Sequence, residues 1–153
     1  MQYSAFGLAL TTAAVLGWLS PAKAQSIPDY YGGIGVRAFL NDPTSFVVDS
    51  KLKIADIGDF SLSTRPAVMV GGDIVEGRLP VTVETAVTSS IYPYAGFGLA
   101  YNTGGAEKIE PMVTGGLDIR VAERLYLDSN LNVIFKSGAG TDTELLFTLN
   151  YKI

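Results

Sequence analysis

Cysteine and histidine are both missing from this sequence. Without thiols there is no disulfide framework and no thiolate metal site. Without imidazole no serine or cysteine nucleophile can pass its proton to a neighbouring histidine. Charge is also scarce: 17% of the 153 residues are charged and 48% are hydrophobic, where a soluble domain carries about 25% charged residues. Yet the apolar residues do not gather into long runs, and beyond the N-terminus no stretch of roughly 18 exists to make a transmembrane helix. The net charge of −4 offers no basic face of the kind nucleic acid requires. At this length one domain is expected, with its hydrophobicity dispersed through short segments.

The N-terminus differs from the rest. Residues 5–19 form an apolar run, followed by Pro21 and the small-x-small pattern Ala22-Lys23-Ala24. That order predicts a secretory signal over 1–24, with Gln25 the first mature residue and 25–153 the mature domain. The run's flank Met1 to Ser4 has no Lys or Arg, so an N-terminal anchor helix or a buried core helix stands as the alternative. Losing Lys23 leaves ten basic and fifteen acidic residues, a mature net charge of −5.

From Gln25 onward the chain alternates apolar and polar residues. The last thirty residues show it best: Leu125, Leu127, Leu131, Val133 and Phe135 oppose Tyr126, Asp128, Asn130 and Asn132. After a glycine-rich turn, Leu145, Phe147, Leu149, Tyr151 and Ile153 oppose Glu144, Thr148, Asn150 and Lys152. A period of two marks strands with one apolar and one polar side. Six earlier segments repeat it, over 30–40, 45–54, 60–70, 78–87, 91–101 and 108–121, separated by turns rich in Gly, Asn and Asp. Residues 71–77 read as a loop. Four prolines resist the pattern. Pro80, Pro93 and Pro111 fall within a few residues of expected strand starts, and Pro66, in mid-strand, is assigned a bulge.

Short connections make successive strands antiparallel neighbours, and an even number lets the first and last pair and abolish the edges. Eleven residues at ~3.3 Å each, tilted ~40°, span roughly 27 Å, close to the ~25 Å apolar band of an outer-membrane barrel. The expected fold is therefore all-β, an eight-stranded antiparallel up-and-down transmembrane barrel with a polar lumen. The lumen face collects Arg37, Asp49, Lys51, Lys53, Arg65, Glu84, Glu110, Asp118, Arg120, Asp128, Glu144 and Lys152, six basic and six acidic. A low-dielectric interior tolerates ions when they are paired, so this balance suits a packed lumen. Gly33, Gly35, Gly96, Gly98 and Gly116 share that face and are expected to leave room for the long charged side chains. Glu76 and Arg78 are assigned outside the lumen. The alternative is the same barrel turned the other way, soluble and lipocalin-like with an apolar interior.

The stretches Tyr92-Pro-Tyr-Ala-Gly-Phe-Gly-Leu-Ala-Tyr101 and Gly115-Gly-Leu-Asp-Ile-Arg-Val-Ala-Glu-Arg-Leu-Tyr-Leu127 resemble the small bacterial outer-membrane barrels of the OmpA-like and OmpW-like group. That group shows a Pro-Tyr-x-Gly-x-Gly strand, and a Gly-x-Asp-Tyr-Arg-like strand running through a tight periplasmic turn into the next. The resemblance implies a monomer with both termini in the periplasm, in contact with outer-membrane lipids. It also implies insertion by the outer-membrane assembly machinery, which reads a C-terminal strand such as Leu145, Phe147, Leu149, Tyr151, Ile153. The non-aromatic final residue Ile153 departs from the usual signal.

Little in the sequence points to catalysis, a metal or a cofactor. Glu84 and Glu110 are a candidate acid–base pair, but their charge-balanced setting favours ion pairs. Gly71-Gly-Asp and Gly138-Ala-Gly140 lack the Gly-Lys-Ser/Thr ending of a phosphate loop. Asp56 and Asp59 have no third carboxylate at calcium-loop spacing. The expected function is a non-enzymatic outer-membrane protein with a structural role in the envelope and a lumen plugged by its own charges. A narrow channel or small-ligand-binding barrel is the alternative.

Overall fold

A computed structural model describes residues 27–39, 44–104, 108–138 and 140–153; of Phe39 it describes only the backbone. The expected signal segment 1–24 lies outside these residues. The described chain is strand and turn throughout: β1 (Tyr30–Phe39), β2 (Ser45–Ile57), β3 (Phe60–Thr64), β4 (Ala67–Gly71), β5 (Ile74–Thr85), β6 (Ile91–Asn102), β7 (Lys108–Ala122), β8 (Leu125–Lys136) and β9 (Gly140–Lys152). Every pairing is antiparallel between neighbours, and β1 closes the ring by pairing with both β2 and β9. Ile34 stands between Val48 on one side and Leu149 on the other.

Nine strands make eight staves, because β3 and β4 are two halves of one stave that pair in turn with β2 and β5. The gap between them is Arg65-Pro66, where a bulge was expected. Proline has no N–H to give a ladder, and two prolines meet here. Arg65 N donates to Pro80 O at 3.1 Å and Ser50 N to Pro66 O at 2.9 Å, and neither proline can return the bond. Thr64 Oγ1 adds a second bond to Pro80 O at 3.0 Å. The stave is interrupted rather than bulged; register shifts fall instead at Lys53/Ala55 in β2 and Arg120/Ala122 in β7.

The expected loop over 71–77 is also corrected. Gly71 pairs with Ile74, so the turn is Gly72-Asp73, with Gly72 in the left-handed region at φ 60°. β5 therefore starts before Arg78, and Pro80 sits inside it opposite Gly98.

One face of every stave is apolar and points outward: Ile34 is 58% exposed, Leu79 55%, Phe97 70% and Ile109 68%. A belt of this extent suits lipid, not water. The interior instead buries Lys51, Arg65, Glu84, Asp118, Asp128 and Glu144. The soluble, apolar-inside alternative is the reverse of what is found. The inward glycines serve backbone approach more than room for charges. A Cβ on Gly35 or Gly96 would collide with the carbonyl oxygen of Phe147 or Val81 on the neighbouring strand, so these positions let the small ring coil tightly.

Candidate functional site

The barrel has two ends. Tyr30 at the start of β1, Lys152 at the end of β9 and the turns at 58–59 and 123–124 lie at one, here the terminal end; the turns at 72–73 and 137–138 lie at the other, the far end. Between them the inward side chains form two ionic layers.

The layer nearer the far end joins Arg37 of β1, Glu76 and Arg78 of β5 and Glu144 of β9. Arg37 binds Glu76 and, at 3.4 Å, Glu144. Arg78 grips Glu144 with two parallel bonds, Nε to Oε1 at 2.8 Å and Nη2 to Oε2 at 2.9 Å, and reaches Glu76 at 3.4 Å. This fork-on-carboxylate arrangement is a strong form of ion pair. Ser45 accepts from Arg37 at 2.9 Å, and Asn132 donates to Glu144 at 3.0 Å. Two arginines and two glutamates thus form a neutral square.

The layer nearer the terminal end is centred on Arg65, the residue at the interrupted stave. Its Nη2 meets Asp118 at 2.8 Å and Glu84 at 2.9 Å, its Nη1 the Tyr31 hydroxyl at 2.5 Å, and its Nε Thr82 at 3.2 Å. The guanidinium lies 3.6 Å from the centre of the Tyr94 ring, a cation–π contact within the low-dielectric interior. Lys51, 0% exposed, binds Glu84 and stands 3.8 Å from Asp118. Ser63 donates to Glu84 at 2.6 Å, Tyr31 to Asp118 at 2.7 Å and Tyr94 to Asp128 at 2.6 Å. Asp118 and Asp128 are direct cross-strand partners.

Val47, Ala67, Met69 and Leu146 form an apolar cluster within the lumen. A small cavity of mixed lining, about the size of a water molecule, lies among Asp49, Arg65, Tyr94, Asp128, Pro80 and Leu146.

Of the twelve expected lumen charges, Arg37 and Glu144 enter the first layer and Lys51, Arg65, Glu84 and Asp118 the second. Asp128, 2% exposed, is held by Tyr94 and Asn130, and Asp49 by Thr148 at 2.7 Å. Glu110 is buried but belongs to neither layer. It pairs with Ala100, which pairs with Arg78, six residues along β5 from Glu84, or roughly 20 Å. The candidate acid–base pair is therefore not brought together. Lys53 turns to the terminal rim, where it meets Asp29 at 2.5 Å and Asp56 at 3.1 Å. Arg120 and Lys152 are half-buried at the same end.

Glu76 and Arg78, assigned outside the lumen from the sequence, are 9% and 4% exposed and complete the first layer. The signal was present: they share parity with Thr82 and Glu84, and carrying the alternation back across Gly77 finds them. The tyrosines at 31 and 94 were equally legible by parity but carried no charge to draw notice.

No family model and no curated protein matches the sequence. Solved structures do. A barrel from the de novo design of transmembrane β-barrels matches at TM-score 0.61 and 17% identity, over 85% of this chain and 100% of that one. The Yersinia pestis outer membrane protein Ail in a phospholipid bilayer nanodisc matches at TM-score 0.58 and 10% identity, over 83% and 100%. The N-terminal β-barrel domain of Pseudomonas aeruginosa OprF matches at 0.51 and 10%, over 81% and 98%. At such identities the likeness is one of fold, that of a small transmembrane β-barrel. A designed barrel and natural ones fit alike, so the fold by itself carries no activity.

Proposed function

We propose that the protein is a non-enzymatic integral barrel of the bacterial outer membrane whose lumen is sealed by its own ion pairs, with a structural role in the envelope. The observation that carries this reading is the saturation of both layers. Every buried cation in them meets at least two carboxylates, and Glu84 is occupied by Lys51, Arg65 and Ser63, within an eight-stranded interior only wide enough for side chains to fill. The outward apolar belt supports contact with outer-membrane lipid, and the apolar rhythm of β9 supports delivery by the assembly machinery after removal of 1–24. The chain works as a monomer, without nucleic acid and without a cofactor.

Two measurements test it. An unboiled sample should migrate differently from a boiled one on SDS gels, because a closed barrel resists detergent; recovery in the soluble fraction with no shift refutes the membrane reading. In planar bilayers the purified protein should show little steady conductance. Large, stable, ion-selective currents would overturn the plug and establish the narrow channel.

A further inference from the structure

The ionic layers leave the terminal mouth of the barrel to be closed by something else. Tyr31 of β1, Tyr92 of β6 and Tyr126 of β8 point into it, with Ala86 from the connection after β5. The Tyr31 and Tyr126 rings lie 5.9 Å apart at 22°, and Tyr92 lies 6.3 Å from Tyr126. The fifth member of this cluster is Ile27, which belongs to no strand. Asp29 O still accepts from Lys53 N at 2.7 Å, continuing the β1–β2 ladder by one bond. Pro28 has no N–H with which to continue it, and both Pro28 and Ile27 are buried. The chain leaves the wall at the proline and drops its isoleucine among the tyrosines.

We propose that residues 27–29 are a strap that closes the terminal mouth, a stopper separate from the ionic layers and displaceable without breaking the ring. Besides the packing of Ile27, its ties to the wall among the described residues include the Lys53 N to Asp29 O bond and the ion pair between Lys53 and Asp29, whose side chains are 21% and 54% exposed. What it covers matters, because the Tyr31 hydroxyl reaches directly to Arg65 and Asp118. Lifting Ile27 exposes the edge of a buried ionic layer to water from that end. The apolar cluster of Val47, Ala67, Met69 and Leu146 stands apart from the mouth cluster and stays closed.

Because the chain has no cysteine, single thiols can report on this. Ser63→Cys places one beside Glu84 at a position 0% exposed, and Val47→Cys places one at another 0% exposed position in the apolar cluster. Both are treated with a membrane-impermeant methanethiosulfonate reagent, in the full-length protein in detergent. With the strap intact both should react slowly. Adding Ile27→Glu, which puts a charge in the cluster of Tyr31, Ala86, Tyr92 and Tyr126, should speed the Ser63→Cys reporter on the order of tenfold or more and leave Val47→Cys slow. Ile27→Leu should restore the slow rate. The heat-dependent gel shift reports that the ring is intact in each variant. The proposal is overturned if Ser63→Cys is already fast with Ile27 in place, if Ile27→Glu leaves its rate unchanged, or if both reporters accelerate together, which would make Ile27 a general packing residue.

Discussion

The two ionic layers are made of the same residue types and solve different problems. The far-end layer is balanced: each of Glu76 and Glu144 meets both Arg37 and Arg78, and any one pair has a neighbour to fall back on. The terminal-side layer repeats that two-by-two pairing but has further acid beside it. Lys51 and Arg65 serve Glu84 and Asp118, while Asp128 and Asp49 nearby are held by hydroxyls and amides alone. Neutral donors take over where cations run out, which is why the tyrosines gather at this level. One layer is neutral, and the other has more carboxylates beside it than cations.

Arg65→Ala should therefore have the largest effect. It leaves Lys51 alone to serve Glu84 and Asp118, both at most 1% exposed, in the layer that already has surplus acid, and removal of one partner of a buried ion pair costs about 3–5 kcal/mol. Arg65→Lys should recover little of it, since an ammonium has no fork for two carboxylates and no plane to lay on Tyr94. Unfolding midpoints in detergent measure both. Equal midpoints for Arg65→Ala and Arg78→Ala would remove the contrast between the layers. Arg78→Ala ranks second: Glu144 keeps Arg37 at 3.4 Å and Asn132 at 3.0 Å, so the loss should be that of charge-assisted hydrogen bonds, about 2 kcal/mol.

The sequence made much of this legible. Alternation fixes which face of a strand each residue occupies, so nearly every outward residue and most lumen charges could be assigned without knowing a single contact. It did not show where strands end or which charges meet. Gly71, Gly72 and Gly77 looked like a loop, yet Gly77 pairs with both Val68 and Tyr101, and that reading cost Glu76 and Arg78. Lys53 is placed in the lumen by parity, but it lies beside a register shift at the terminal end, where a bulge re-aims side chains. The partner of Arg37 is Glu76, on the opposite wall. Which opposed residues share a level depends on the stagger with which the ring closes, a property of all the staves together.

A pair of acid-to-amide substitutions sharpens the asymmetry by reversing a sign. Asp118 holds three bonds from Arg65 and Tyr31, so Asp118→Asn should destabilise by about 2 kcal/mol. Asp128, its cross-strand partner, is held directly by Tyr94 and Asn130, with Arg65 acting on it at longer range, and adds negative charge beside a layer whose two cations already serve two carboxylates. Asp128→Asn keeps the shape, relieves a like-charge repulsion and should be neutral or stabilising. Destabilisation by Asp128→Asn as large as that of Asp118→Asn would mean that its charge is compensated after all.

The smallest effect is expected at the rim. Lys53 has the same formal partnership as Lys51, one ammonium between two carboxylates, Asp29 at 2.5 Å and Asp56 at 3.1 Å. Its partners are more than half exposed, where water already solvates both charges and side-chain ordering cancels much of the attraction. Lys53→Ala should cost roughly 0.5 kcal/mol or less. Salt separates the two situations further. At about 1 M the screening length falls to ~3 Å for exposed charges, whereas buried pairs are screened much less. Raising the salt should therefore erase the difference between wild type and Lys53→Ala while leaving the Arg65→Ala deficit in place. If the Arg65→Ala deficit shrank in parallel, salt would be reaching the terminal-side layer, and that layer would be a wetted surface instead of a seal.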